Sequence, residues 1–87
     1  NTSDINIKIE NPVTTSLNVM YDIEQLKSDV VLHVFDLSGN LISKAILPKY
    51  QSHFTMNLDG LSAGMYISKF YIKEEELVTT SRFIKIW

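Results

Sequence analysis

Leu61-Ser62-Ala63-Gly64-Met65-Tyr66 reads as a chain corner that opens a β-strand. Gly64 permits backbone angles that a Cβ would hinder, and Met65 to Ile72 has strand composition. Tyr66 follows Gly64 by two residues and Leu61 by five. In two-sheet antiparallel folds a tyrosine at this place returns its hydroxyl to backbone a few residues upstream and pins the corner. The spacing predicts a buried Tyr66 ring with its acceptor between Leu58 and Leu61, and Leu61 as the plug at the bottom of the core. Tyr66, Phe70 and Ile72 then point inward. The same register puts Ser68 on the core face, an awkward place for a hydroxyl.

Upstream, Asp36-Leu37-Ser38-Gly39-Asn40 fits a type I turn followed by a left-handed residue. The Asp36 carboxylate suits the first position because it can accept backbone N–H bonds, and Gly39 suits the left-handed one. Away from these turns, apolar residues alternate with polar ones at period two, and helical periodicity is almost absent. A first strand carries Ile5, Ile7 and Ile9 and is stopped by Pro12; a second carries Leu17, Val19, Tyr21 and Ile23. Val30 to Phe35 is nearly continuous, as in a central strand, and Leu41 to Leu47 is ended by Pro48. Phe54, Met56 and Leu58 mark a fifth strand, Met65 to Ile72 a sixth and Val78 to Ile86 a seventh. The gap at Glu74-Glu75-Glu76 lacks Gly and predicts a looser loop. The pattern predicts an all-β, seven-stranded antiparallel β-sandwich of immunoglobulin or fibronectin-III type. Strands one, two and five form one sheet and three, four, six and seven the other. Alternation alone leaves open whether Phe83 and Lys85, or Ile84 and Ile86, face the core.

The 87 residues make one domain, residues 1–87, with Asn1-Thr2-Ser3-Asp4 read as a linker remnant from an upstream cargo. A chain this short buries only about 60–65% of its unfolded surface. It has no cysteine, so neither a disulfide nor a thiolate metal site supports it. Net charge is −2 and the eight Lys and Arg are scattered, which argues against nucleic acid or an anionic membrane as partner. No apolar run reaches the ~18 residues of a membrane helix, and the polar start is not a signal peptide. These features predict a C-terminal piece of a longer protein.

Residues able to do chemistry are not grouped. His33 and His53 are twenty apart without ligand-spaced companions; they read as an outward strand residue and a loop or edge residue. Ser62, Ser68 and Ser81 lack a nucleophile elbow, and each of the three glycines fits a turn rather than a phosphate loop. Asp22, Glu24 and Asp29 offer too few oxygens for calcium and read as a solvated edge, as does Glu74-Glu75-Glu76. Tyr50 and Trp87 have the chemistry to stack on a sugar, but nothing places them together. The sequence predicts no catalytic residue, metal or cofactor.

Four segments follow one another along the chain: Asn11-Pro12 before Leu17-Asn18-Val19; Val34-Phe35-Asp36-Leu37-Ser38-Gly39 before Leu41-Ile42; Leu61 to Tyr66; and Arg82-Phe83-Ile84-Lys85-Ile86. On these the chain resembles the C-terminal sorting domains of the Bacteroidetes type IX (Por) secretion system, over roughly Ile9 to Lys85. Phe35 stands where a Tyr is commoner, Glu10 where Pro is frequent, and Ile86-Trp87 where many relatives end near a Lys or Arg. The resemblance implies a non-catalytic sorting signal, with Asn11, Pro12, Asp36, Gly39, Leu61, Gly64 and Tyr66 as structural motif residues. It implies export recognition at Arg82, Phe83, Ile84, Lys85 and Ile86, with most weight on Arg82, Lys85 and the backbone of the last strand. The implied partners are outer-membrane secretion machinery, a sortase-like processing protease and a covalently linked upstream cargo, without membrane insertion. The implied route is the periplasm in transit, then the cell surface or secretion. The rival reading is an accessory immunoglobulin-like or fibronectin-like module serving as spacer, adhesion or carbohydrate-binding unit, or a small stand-alone adhesion domain. Position in the full gene discriminates, since a sorting domain comes last.

Overall fold

Period-two patterning resolves into two layers. The computed structural model describes residues 6–22, 29–48, 51–72 and 76–86. Its strands are β1 (Asn6–Ile9), β2 (Ser16–Asp22), β3 (Val30–Asp36), β4 (Leu41–Leu47), β5 (His53–Asn57), β6 (Gly64–Ile72) and β7 (Glu76–Lys85). One sheet has the order β1-β2-β5 and the other β4-β3-β6-β7, with every neighbouring pair antiparallel. This is the sandwich and the division of strands that the sequence predicts. Ile5, Ile23, Glu24, Tyr50, Glu74, Glu75, Trp87 and the linker at residues 1–4 lie outside the described residues.

The core lies between the sheets. Leu17 and Val19 of β2 face Leu32 and Val34 of β3, Phe70 of β6 and Phe83 of β7, all fully buried. Burying each such side chain contributes about 1.5–3 kcal/mol. Ser68 is also fully buried, and its hydroxyl donates to the Ser81 carbonyl on β7 at 3.0 Å. That bond removes the penalty for a hydroxyl in the core. Ile72, at the end of β6, is half-buried.

Two expectations shift. β5 ends at Asn57, so Leu58 leaves the strand, yet Leu58 is fully buried while Leu61 is half-buried against the core. Leu58 is therefore the plug expected of Leu61. Its N–H donates to the Thr15 carbonyl at 2.8 Å, which holds it over the open end of the sandwich. The sequence reading also missed a second pinning tyrosine. The Tyr21 hydroxyl of β2 donates to the Pro48 carbonyl beyond β4 at 2.8 Å, tying the two sheets together. Burial, and then the Asp29 carboxylate, push the Tyr21 phenol above its usual pKa.

Candidate functional site

β3 runs toward Asp36, β6 starts at Gly64, and β7 runs toward Lys85. Antiparallel register aligns Asp36 with Tyr66, Tyr66 with Phe83, and Gly64 with Lys85. Three motifs far apart in sequence therefore meet at one end of the four-stranded sheet.

The fourth motif arrives from the other sheet. After the cis Asn11–Pro12 bond, Val13 forms a parallel bridge with Lys85. The Val13 N–H donates to the Ile84 carbonyl at 2.8 Å, and the Ile86 N–H donates to the Val13 carbonyl at 2.9 Å. The Ile84 N–H donates to Asn11 Oδ1 at 2.9 Å, across 73 residues of sequence. Val13 is buried in the core, so the segment is anchored by packing as well as by hydrogen bonds. The outward backbone groups at this end of β7 are thus taken. The last-strand backbone, on which the resemblance put weight, is therefore already bonded at the Ile84 N–H and carbonyl and at the Ile86 N–H.

The Asp36 turn forms as its residue types dictate. Asp36 Oδ1 accepts the N–H groups of Ser38 and Asn40, each at 2.9 Å, and Oδ2 accepts Asn40 Nδ2 at 3.1 Å. These donors, the Asn40 backbone first, hold the Asp36 carboxyl below its usual range. Gly39 has φ of 92° and Gly64 of 149°, as the turn readings require. Gly60, which the sequence reading did not single out, also has φ of 92°. Its signal was present, as an Asp59-Gly60 pair after a strand.

At the corner, the Tyr66 ring is buried and stacks on Phe83 with centroids 5.7 Å apart. Its hydroxyl donates to the Ser62 carbonyl, one residue beyond the predicted Leu58 to Leu61 range. In the preceding turn the Leu58 carbonyl already accepts the Leu61 N–H at 3.1 Å. Leu61 itself supports the turn from its half-buried place.

The last strand resolves the ambiguity of facing. Phe83 is 0% and Lys85 6% exposed, whereas Ile84 is 40% and Ile86 50% exposed. Arg82 is exposed, so the two cations expected to act together face opposite ways. Arg82, Ile84 and Ile86 are the exposed side chains of this segment. Phe83 and Lys85 shape the strand from within.

The remaining polar side chains do not converge. His33 lies half-buried on the outer face of β3, beside Phe35 and against Tyr71 at 4.9 Å, and its Nε2 has no hydrogen-bond partner. His53 is exposed at the start of β5. Among the described residues no group of three His, Cys, Asp or Glu gathers to hold a metal, and Asp22 and Asp29 are both exposed.

A family model described as the secretion system C-terminal sorting domain matches residues 11–86. Among solved structures, the chain is similar to a DUF3244 family protein with an immunoglobulin-like β-sandwich fold from Bacteroides vulgatus. The likeness has a TM-score of 0.65 at 14% identity and covers 93% of this chain and 95% of that one. Among curated proteins none matches.

Proposed function

We propose, from the premise that this chain belongs to the C-terminal sorting domains of the type IX secretion system, that it carries an attached upstream cargo across the outer membrane and catalyses nothing itself. The observation that carries this reading is the gathering of all four motif segments into one hydrogen-bonded pole. Asn11, Pro12, Asp36, Gly39, Leu61, Gly64 and Tyr66 build that pole, with Phe83 and Lys85 packed beneath it. Arg82, Ile84 and Ile86 are the side chains it offers to export machinery.

The layout suits a carrier. Asn6 opens β1 opposite Asp22, while Ile9 pairs with Val19 nearer the motif pole. A cargo joined upstream of β1 attaches at the far end of a body 36 Å long. Machinery can hold the motif pole without colliding with the cargo. Release by a sortase-like protease, and delivery to the surface or medium after periplasmic transit, belong to the same reading.

The test is a fusion of this domain behind a signal-peptide-bearing reporter in a type IX-competent host. The intact fusion is expected at the surface or in the medium. Arg82→Ala, a change at an exposed position, is expected to leave more reporter in the periplasm while the unfolding midpoint stays unchanged. Periplasmic retention of the intact fusion would overturn the sorting reading in favour of an accessory module.

A further inference from the structure

The two sheets have unlike outer faces. On β1-β2-β5 the outward positions are polar apart from Met20, and three side chains are bonded in series: Thr55 Oγ1 donates to Asn18 Oδ1 at 2.8 Å, and Asn18 Nδ2 donates to Glu10 Oε1 at 2.7 Å. On β4-β3-β6-β7 alternation fails, because the outward positions of β3 are Val31, His33 and Phe35. Register arranges that face in rows across the strands. Ile46, Val31 and Tyr71 form an apolar row, and Leu41, Phe35 and Ile67 form another. Between them runs a basic row of Lys44, His33 and Lys69, and Arg82 extends the row of Ile67. Lys69 Nζ lies 5.3 Å from the Phe35 ring centroid, so this cation rests on the apolar surface. Ile46 is 58% and Leu41 48% exposed along the β4 edge, and Ile46 borders a hollow of about 380 Å³ lined also by Val31, Lys44 and Ala45.

An apolar face of this kind marks an interaction surface, since solvated sheet faces are ordinarily polar. Charge selects the occupant. The chain has ten Asp and Glu against eight Lys and Arg, yet this face carries three cations and no described carboxylate. A second copy would set those cations against themselves. Four strands about 4.8 Å apart and some five residues long offer on the order of 300 Å², less than half of the roughly 800 Å² that one side of a stable interface buries. Anionic membrane surfaces are engaged by clusters of about four to eight cations, more than are present.

We propose that the outer face of the β4-β3-β6-β7 sheet docks, transiently, an apolar protein surface bearing carboxylates. The proposal rests on the sorting reading, with the docked protein belonging to the export route. The apolar rows lie on the partner's apolar side chains, its carboxylates meet Lys44, Lys69 and Arg82, and the hollow beside Ile46 takes a partner side chain.

The experiment uses the same reporter fusion. Delivery of the intact fusion establishes the sorting reading separately; its retention overturns that reading and this proposal with it. The triple reversal Lys44→Glu, Lys69→Glu, Arg82→Glu is expected to cut surface delivery about tenfold or more. Lys8→Glu on the polar face is expected to leave delivery intact. Undiminished delivery by the triple variant, or equal loss from Lys8→Glu, overturns the proposal. If the triple variant has a lowered unfolding midpoint, the pair Leu41→Thr and Ile46→Thr, which places β-branched polar residues with good strand propensity at exposed positions, decides by the same readout. A photo-cross-linking residue replacing Ile46 identifies the occupant. Adducts mapping to an apolar protein segment containing Asp or Glu support the proposal; adducts to lipid, to a basic segment or to a second copy overturn it, as does no adduct in a delivered fusion. The purified domain is expected to sediment as a monomer and to ignore vesicles of anionic phospholipid. Dimerisation or vesicle binding that the triple reversal abolishes assigns the face to those occupants instead and overturns the proposal.

Discussion

The two ends of the sandwich are held by different means. At the motif pole, side chains tie backbone repeatedly: Asn11 to Ile84, Asp36 to Ser38 and Asn40, Asn57 to Asp59, and Tyr66 to Ser62. All three glycines of the chain lie there with positive φ. At the opposite end, one tie is the Tyr21 hydroxyl on the Pro48 carbonyl. The motif pole closes three turns and joins two sheets at once, so its backbone needs donors, acceptors and φ values that only certain residues supply. A sequence motif can thus consist of structural residues and still serve as an address, because those residues build one particular surface.

The largest effect that tests this contrast is Phe83→Ala. Phe83 is fully buried and stacked on Tyr66, so truncation is expected to cost about 3–5 kcal/mol in urea unfolding. A loss below about 1 kcal/mol would mean that Phe83 is not part of the core and is available to a partner. Next is Gly39→Val. No atom lies within 4 Å of the added Cβ, so the expected loss of about 1–2 kcal/mol is left-handed backbone strain alone. Its counterpart at the other end is Ser52→Val, an exposed change expected to stay within about 0.5 kcal/mol. Equal losses at Gly39 and Ser52 would erase the distinction.

The two pinning tyrosines allow a sharper comparison. Tyr66→Phe and Tyr21→Phe are each expected to lose about 0.5–1.5 kcal/mol, since each strips one hydrogen bond from a carbonyl. No change at Tyr66 would show that the corner is held by ring packing. Asn11→Ala is smaller in global terms, about 0.5–1 kcal/mol, because Asn11 is exposed. Its specific signature is faster hydrogen exchange at the Ile84 amide, with the amides of β1 unchanged. The smallest effect is the acid sensitivity of Asp36. Its native pKa is depressed by N–H donors, so its stabilisation is complete above the ordinary aspartate range, near pH ~4. That stabilisation is lost as pH falls through the lower native value. An NMR titration of the Asp36 carboxyl is expected to show a midpoint below the ordinary range, and Asp36→Asn to flatten the acid limb of the stability profile.

Much of the site was legible in the sequence because its parts are local. Asp36 and Gly39 sit within one turn and Tyr66 within one corner, so residue type and short spacing specify them, although the acceptor of the Tyr66 hydroxyl falls at Ser62, one residue past the expected range. Ser68 was placed correctly on the core face by alternation, but its partner was invisible, because Ser81 lies across a strand pair. The apolar outer face was half visible in the nearly continuous apolar run from Val30 to Phe35, interrupted by His33. The sequence read that run as a central strand and did not show that one of its faces stays open.

By itself, the sequence determined seven strands, their turns, their division between two sheets and the membership of most of the core. Those follow from a side-chain period of two and from backbone angles that Gly, Asn and Asp supply. Only the tertiary structure decided that Asn11 and Val13 close onto β7, that Phe83 and Lys85 turn inward, and that Leu58 takes the place expected of Leu61. Each of these depends on where chain segments meet after folding. A hydrogen bond across 73 residues leaves no periodic trace in sequence, since its donor and acceptor are backbone or amide groups that occur throughout the chain.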